Sequence, residues 1–178
     1  MLSSRGINTP QRYQLMAIFY LVFLPFVDML YLVRKTGEGK SAVLYGMATL
    51  MRGIHVSTVP LIGLGSDQAA KAKAPDLDVE AYHCDEFRFK DYLKCVQRMK
   101  TYHPSQRRSI IFYISPQNLR PLTPGGKPNK WYTLLRQLAQ KGWIKSFSID
   151  EVHATVENSD SFRPEFKDGV QTIRDLIA

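Results

Sequence analysis

Six consecutive residues, Thr36-Gly37-Glu38-Gly39-Lys40-Ser41, have the types and order needed to hold a chain of phosphates. Phosphate oxygens are surrounded best by backbone N–H groups, and glycines let the backbone turn tightly and come close to them. Lys40 adds a point charge for the terminal phosphates. Ser41 adds a hydroxyl for a divalent cation and opens a helix whose positive end faces the anion. About a hundred residues later, Asp150-Glu151-Val152-His153 offers the complementary chemistry. Hydrolysis of a phosphoanhydride needs a carboxylate that organises the metal and a group that orients or deprotonates water. Asp150 suits the first role and Glu151 the second. An ordinary surface turn would explain either segment alone. The two in this order point to a site for ATP and Mg²⁺, with Thr36, Gly37, Glu38, Gly39, Lys40 and Ser41 on the phosphates and Ser41 and Asp150 on the metal. One position departs from the strict phosphate-loop pattern: Arg34 stands six residues before Lys40, where glycine is usual.

These residues need a scaffold that brings two distant loops to one edge. Apolar runs that read as strands alternate with stretches of helical period. The expected strands are Met29–Val33, Ile54–Val59, Leu77–Tyr82, Ser109–Ser115 and Trp143–Ile149. The expected helices are Pro10–Leu24, Ser41–Met51, Ile62–Lys73, Arg88–Tyr102, Lys130–Gln140 and Pro164–Ile177, with Gly53 stopping the second. Such alternation predicts a mainly parallel sheet with right-handed crossovers, covered by helices on both faces: a three-layer α/β domain. Met29–Val33 should feed the phosphate loop. Trp143–Ile149 should end at Asp150, although Lys145, Ser146 and Ser148 interrupt what would be a continuous apolar run in a central strand. The stretch from Leu122 to Pro128 reads as a surface loop.

The chain has 178 residues and a formal net charge of +8, enough for one domain with a sizeable core and suited to an acidic partner such as nucleic acid. Basic residues gather at Arg107-Arg108 and at Lys127 and Lys130 beside Trp131. Two cysteines, Cys84 and Cys95, are too few for a disulfide scaffold, and with His83 and His103 they lack zinc-ligand spacing. Leu15–Val33 is long and apolar enough to raise a membrane anchor, but Pro25 and Asp28 break it, so a buried helix followed by a strand is the expectation, with no membrane partner.

Further matches make the pattern specific. Asp150-Glu151-Val152-His153 is followed nine residues on by Phe162-Arg163-Pro164-Glu165-Phe166. Pro60-Leu61-Ile62-Gly63-Leu64 with Asp67-Gln68, Phe112 to Leu119 with Ser115-Pro116, and Gln11-Arg12 complete the set. In this order they resemble the RecQ-like DNA helicases of superfamily two. The resemblance implies a RecA-like P-loop NTPase lobe over residues 1–178 that couples ATP hydrolysis to DNA strand separation, in an intracellular setting, nuclear if the source is eukaryotic. It assigns Gln11 to the adenine, Lys40 and Glu151 to catalysis and His153 to coupling. It assigns Pro60, Leu61, Asp67, Gln68, Ser115, Pro116 and Arg163 to single-stranded or partly duplex DNA, with RNA as the variant. In the loop before Phe162, where the family carries Gln, Trp and His, this chain has Glu157, Asn158 and Asp160. Gln11 also lies further from Lys40 than the family spacing. The expectation is one lobe of a two-lobed motor, the second lobe absent. A degenerate nucleotide-binding domain without motor activity is the alternative.

Overall fold

The computed structural model describes residues 10–24, 29–35, 37–59, 62–72, 78–84, 89–106, 108–150, 171–173 and 175–176. Among the described residues the elements run in the order α1 (Arg12–Phe23), α2 (Ser41–Leu50), β1 (Ile54–Thr58), α3 (Ile62–Ala72), β2 (Val79–His83), α4 (Phe89–Lys100), β3 (Ser109–Ile114), α5 (Pro116–Leu119), α6 (Lys130–Gln140) and β4 (Ile144–Ile149). The strands form one parallel sheet in the order β2-β3-β1-β4. The α/β arrangement expected from the alternation is therefore present.

Alternation along β3 builds the two covered faces, because successive side chains of a strand point to opposite sides. Ile110, Phe112 and Ile114 enter a core with Cys95 and Met99 of α4 and with Trp131, Leu134, Leu135 and Leu138 of α6. Ile111 and Tyr113 enter the opposite core with Leu44, Tyr45 and Ala48 of α2 and with Ala69 and Ala72 of α3. Every residue of β3 and β1 is buried, as a central parallel strand requires. β4 is only half-buried and lies at one side of this four-stranded sheet. That position explains its lysine and serines. Ser146 Oγ also meets His55 Nδ1 at 2.8 Å, while His55 Nε2 donates to the Met51 carbonyl at 2.8 Å. Burial, outweighing that carbonyl's support, pushes the His55 pKa down to about 4.

Two expectations about elements need correction. Met29–Val33 is not a strand: residues 29–35 carry no regular structure. Met29, Tyr31 and Val33 are exposed, while Leu30 and Leu32 pack on the cluster formed by Ala17 and Ile18 of α1 with Val43 and Met47 of α2. The segment's apolar residues are thus spent on the outer helix pair rather than on the sheet. Gly53 does not stop α2 either. The helix ends at Leu50, with Met51 extended and its N–H donating to Met47 O. Gly53 is needed for space, since a Cβ there would fall 2.1 Å from Lys145 Cγ on β4. The expected last helix lies mostly outside the described residues, but residues 171–173 and 175–176 are helical, and Ile173 and Leu176 join the α4–α6 core.

Among the described residues no helix is long and apolar enough to cross a membrane. The run from Leu15 is divided between the twelve residues of α1 and the irregular segment after it. Leu122 and Pro128 close the surface loop between them with an isolated antiparallel bridge.

Candidate nucleotide site

The loop from Arg34 to Lys40 turns on two glycines in the left-handed region, Gly37 at φ 88° and Gly39 at φ 82°. Side-chain-bearing residues reach that region at a cost, which is why glycine occupies both positions. Glu38 N donates to Lys35 O at 3.3 Å, and the Glu38 carboxylate accepts from Lys35 N at 3.2 Å, closing the turn. Lys40 is already helical in backbone conformation, and Ala42 N and Val43 N donate back to Gly39 O and Lys40 O at 3.0 Å each. The loop therefore runs straight into the first turn of α2, with Ser41 as its first residue. Lys40 Nζ donates to the carbonyl of Arg34 at 3.0 Å, folding the ammonium back across the loop.

α1 braces this loop from outside. The Tyr13 hydroxyl donates to Glu38 O, and Gln14 Nε2 donates to Gly39 O at 3.0 Å. The Arg34 guanidinium stacks over the Tyr13 ring at 4.4 Å, a cation–π contact. Gln14 is buried, whereas Gln11 is exposed at the start of α1. There Gln11 exchanges capping hydrogen bonds with Gln14, its backbone N–H donating to Gln14 Oε1 at 2.9 Å. Gln14 is thus in contact with the glycine-rich loop, and Gln11, the residue expected to meet adenine, caps the same helix three residues before it. Both Gln14 and Tyr13 were missed by motif matching. The signal available was helical period: Gln14 shares a face with Ala17 and Ile18, the face that packs on α2.

Asp150 stands just past the end of β4, and its N–H donates to Thr58 O at 3.0 Å, which extends the β1–β4 ladder by one step. Its Oδ2 accepts from Gln68 Nε2 of α3 at 2.9 Å. Gln68 is buried and Asp67 beside it is exposed. Of the two, only Asp67 offers its side chain to the surface. Ser115 caps α5, and its hydroxyl accepts from Asn118 Nδ2 at 3.0 Å. Ser115 and Pro116 are both buried at the end of β3, with Gln117 exposed next to them. Trp131 is buried against Phe112 and Tyr92, so Lys127 and Lys130 have no exposed indole beside them. Arg108 pairs with Asp78 at 3.6 Å. Thr36, Pro60, Leu61, Arg107, Glu151, His153 and Arg163 lie outside the described residues.

The donor set suits Mg²⁺ in kind. That ion takes one or two carboxylates, keeps waters and completes its shell with substrate phosphates, rather than needing a cage of protein ligands. One carboxylate at a strand end and one hydroxyl at a helix start are donors of that type. A cluster of three or more metal-binding side chains is absent among the described residues.

A four-stranded parallel sheet flanked by helices, with a carboxylate at the end of one strand and a glycine-lysine-serine loop at the start of one helix, is an α/β arrangement of the kind a RecA-like lobe has. No protein-family model matches the chain. It is similar, however, to several RecQ-type helicases. It is 28% identical over 137 residues to the ATP-dependent DNA helicase RecQ of Synechocystis sp., covering 76% of this chain and 25% of that protein. It is 26% identical over 138 residues to the ATP-dependent DNA helicase Q1 of Rattus norvegicus, covering 78% and 21%. It is 26% identical over 136 residues to the RecQ-like DNA helicase blm-1 of Caenorhabditis elegans, covering 76% and 13%. The chain thus resembles part of a RecQ-like helicase and spans a quarter or less of the length of these relatives.

Proposed function

We propose that this chain is the ATP-binding lobe of a RecQ-like DNA helicase, and that it binds ATP at the loop from Arg34 to Ser41. The observation that carries the reading is the loop itself: two left-handed glycines followed without a break by the lysine and serine that open α2. The similarity to ATP-dependent DNA helicases over three quarters of the chain supports it. Gly37 and Gly39 allow backbone N–H groups to face phosphate, and Lys40 exchanges its bond to Arg34 O for the β- and γ-phosphates. Ser41 and Asp150 would hold Mg²⁺, which when bound neutralises charge on the phosphates. Glu151 would orient or deprotonate the attacking water, and His153 would couple the site to DNA. Pro60, Leu61, Asp67, Ser115, Pro116 and Arg163 would meet the DNA backbone at the same sheet edge. Binding through phosphates makes that contact weak, sequence-tolerant and steeply salt-dependent.

Titration with a fluorescent ATP analogue tests the reading. The wild-type chain should bind, and Lys40→Ala should lose at least tenfold in affinity. Equal binding by both would remove the nucleotide site. Glu151→Gln should keep nucleotide affinity while lowering hydrolysis by about 10²–10⁴-fold in a chain that turns ATP over. Unchanged hydrolysis in that variant would reassign the water-activating role.

A further inference from the structure

Charge is divided unevenly along this chain. Residues 92–149 hold eleven of the 24 lysines and arginines and none of the 16 aspartates and glutamates, a net of +11. The other 120 residues hold the remaining thirteen basic residues and all sixteen acidic ones, a net of −3. The acid-free stretch makes most of α4, all of α6, and β3 and β4, so the fold gathers its positive charge on the sheet face that α4 and α6 cover. The opposite face is nearly neutral: α2 has no charged residue, and α3 has only Asp67 and Lys71. Between α4 and α6 runs a surface groove of about 250 Å³, lined in part by Tyr92, Val96 and Lys100 of α4 and by Lys130, Leu134 and Gln137 of α6. We infer that this groove is a nucleic-acid contact, which takes a phosphate backbone along the flank of the domain, apart from the sheet-edge residues proposed above for DNA.

Shape and charge together favour a chain of phosphates as the occupant. Tyr92, Val96 and Lys100 follow one another at intervals of four on one face of α4, so at 1.5 Å per residue they span about 12 Å. That is roughly three to four nucleotide steps along one strand of a duplex. Lys130 Nζ sits 5.7 Å from the centre of the Tyr92 ring at one end of the groove, and Lys100 marks the other. Crossover helices of a parallel sheet start at the C-terminal ends of its strands. The Lys130 end therefore opens towards the edge that carries Ser115 and Asp150, and the groove leads away from it. The Tyr92 ring meets Trp131 edge-on at 5.0 Å and lies under Lys130, so it forms a wall and not a stacking platform. Lys100, Lys130 and Gln137 are exposed, and their ammonium and amide groups are donors for phosphate oxygens that read no base. On the neighbouring strand Glu80 is paired with Arg98 at 2.8 Å, and just before it Asp78 is paired with Arg108 at 3.6 Å, which leaves the exposed lysines to set the sign of the groove. The inference does not need the nucleotide site.

Fluorescence anisotropy on the whole chain, with a labelled oligo-dT and a labelled duplex of equal length across a salt series, tests the groove. Lys100→Gln and Lys130→Gln should each weaken binding several-fold at low salt and flatten the slope of log affinity against log salt by about 1. The double variant should flatten it by about 2. Lys71→Gln removes the same charge from α3 on the opposite face and should leave the slope where it is. All four variants should keep the wild-type urea midpoint, since the changed side chains are exposed. Slopes for the groove variants equal to that of Lys71→Gln overturn the proposal. Wild-type binding that none of these changes touches rejects the groove and leaves the sheet-edge contact standing. No binding by the wild-type chain to either oligonucleotide at low salt rejects both contacts. Vesicles of phosphatidylserine and phosphatidylcholine form the last arm. Lysine-dependent capture by those vesicles, with no binding to oligonucleotide, would give the groove to a membrane surface and overturn the nucleic-acid assignment.

Discussion

The two halves of the candidate site are held in place by different forces. Asp150 continues a backbone ladder, with its N–H on Thr58 O at the end of β1. Under it lie strands that are buried throughout and two apolar cores. Among the described residues, no strand leads into the glycine-rich loop. Side chains of α1 reach its carbonyls, and Leu30 and Leu32 pin the approach to the outer helix pair. The carboxylate half should therefore share the global stability of the sheet. The loop half should respond to local changes that leave the fold standing.

The sharpest way to break this comparison is to damage each half and compare stability with nucleotide affinity. Phe112, fully buried in β3 against Trp131, is a strong lever on the sheet. Phe112→Ala should cost about 3–5 kcal/mol in urea unfolding, through lost burial and the cavity left behind. A loss under about 1 kcal/mol would mean that the sheet core is not what supports Asp150.

Acid should act on the same half. The His55 pKa, pushed down to about 4 by burial, lies below its ordinary value of 6.5. The unfolded chain therefore binds a proton that the folded chain refuses between those limits, and stability falls as pH drops from 6.5 to 4. The expected loss from this group is about 3 kcal/mol across that window. It should appear as a falling urea midpoint, and His55→Asn should flatten the slope. A wild-type slope equal to that of the variant would show that His55 is not buried neutral.

On the loop side, Gly39→Ala forces a side chain into the left-handed region and places its Cβ 2.8 Å from Gln14 Nε2. Nucleotide affinity should fall by tenfold or more, while unfolding stability drops by only about 1–3 kcal/mol. Smallest of all is Tyr13→Phe, which removes the hydroxyl bond to Glu38 O. It should weaken nucleotide binding a few-fold, in line with about 0.5–1.5 kcal/mol for a neutral hydrogen bond, and leave the urea midpoint nearly unmoved. Loop variants that unfold the domain as severely as Phe112→Ala would erase the distinction between the halves.

Much of this was legible in the residues alone. The pattern over Lys130–Gln140 predicts α6 to the residue, and the alternation of elements predicts the parallel sheet. Glycine, lysine and serine at fixed spacing announce the loop because its backbone geometry leaves few alternatives. Local periodicity and local steric demand are properties of a short stretch of chain, so a sequence displays them directly.

Three features depended on packing between distant elements. An apolar run at 29–33 is compatible with a strand or with a segment lying on two helices, and the face offered by Ala17, Ile18, Val43 and Met47 selects the second. Gly53 looks like a helix stop, but Lys145, far along the chain, determines why no Cβ fits there. Gln11 and Gln14 are equivalent as residue types, and Gln68 looks like a surface residue of a DNA-contact motif. Only the meeting of α1 with the loop, and of α3 with the end of β4, assigns Gln14 to Gly39 and Gln68 to Asp150. The physical reason is reach. A hydrogen bond is decided within about 3 Å of two polar atoms, and residues widely separated in sequence are brought that close by the folded packing of helices on the sheet.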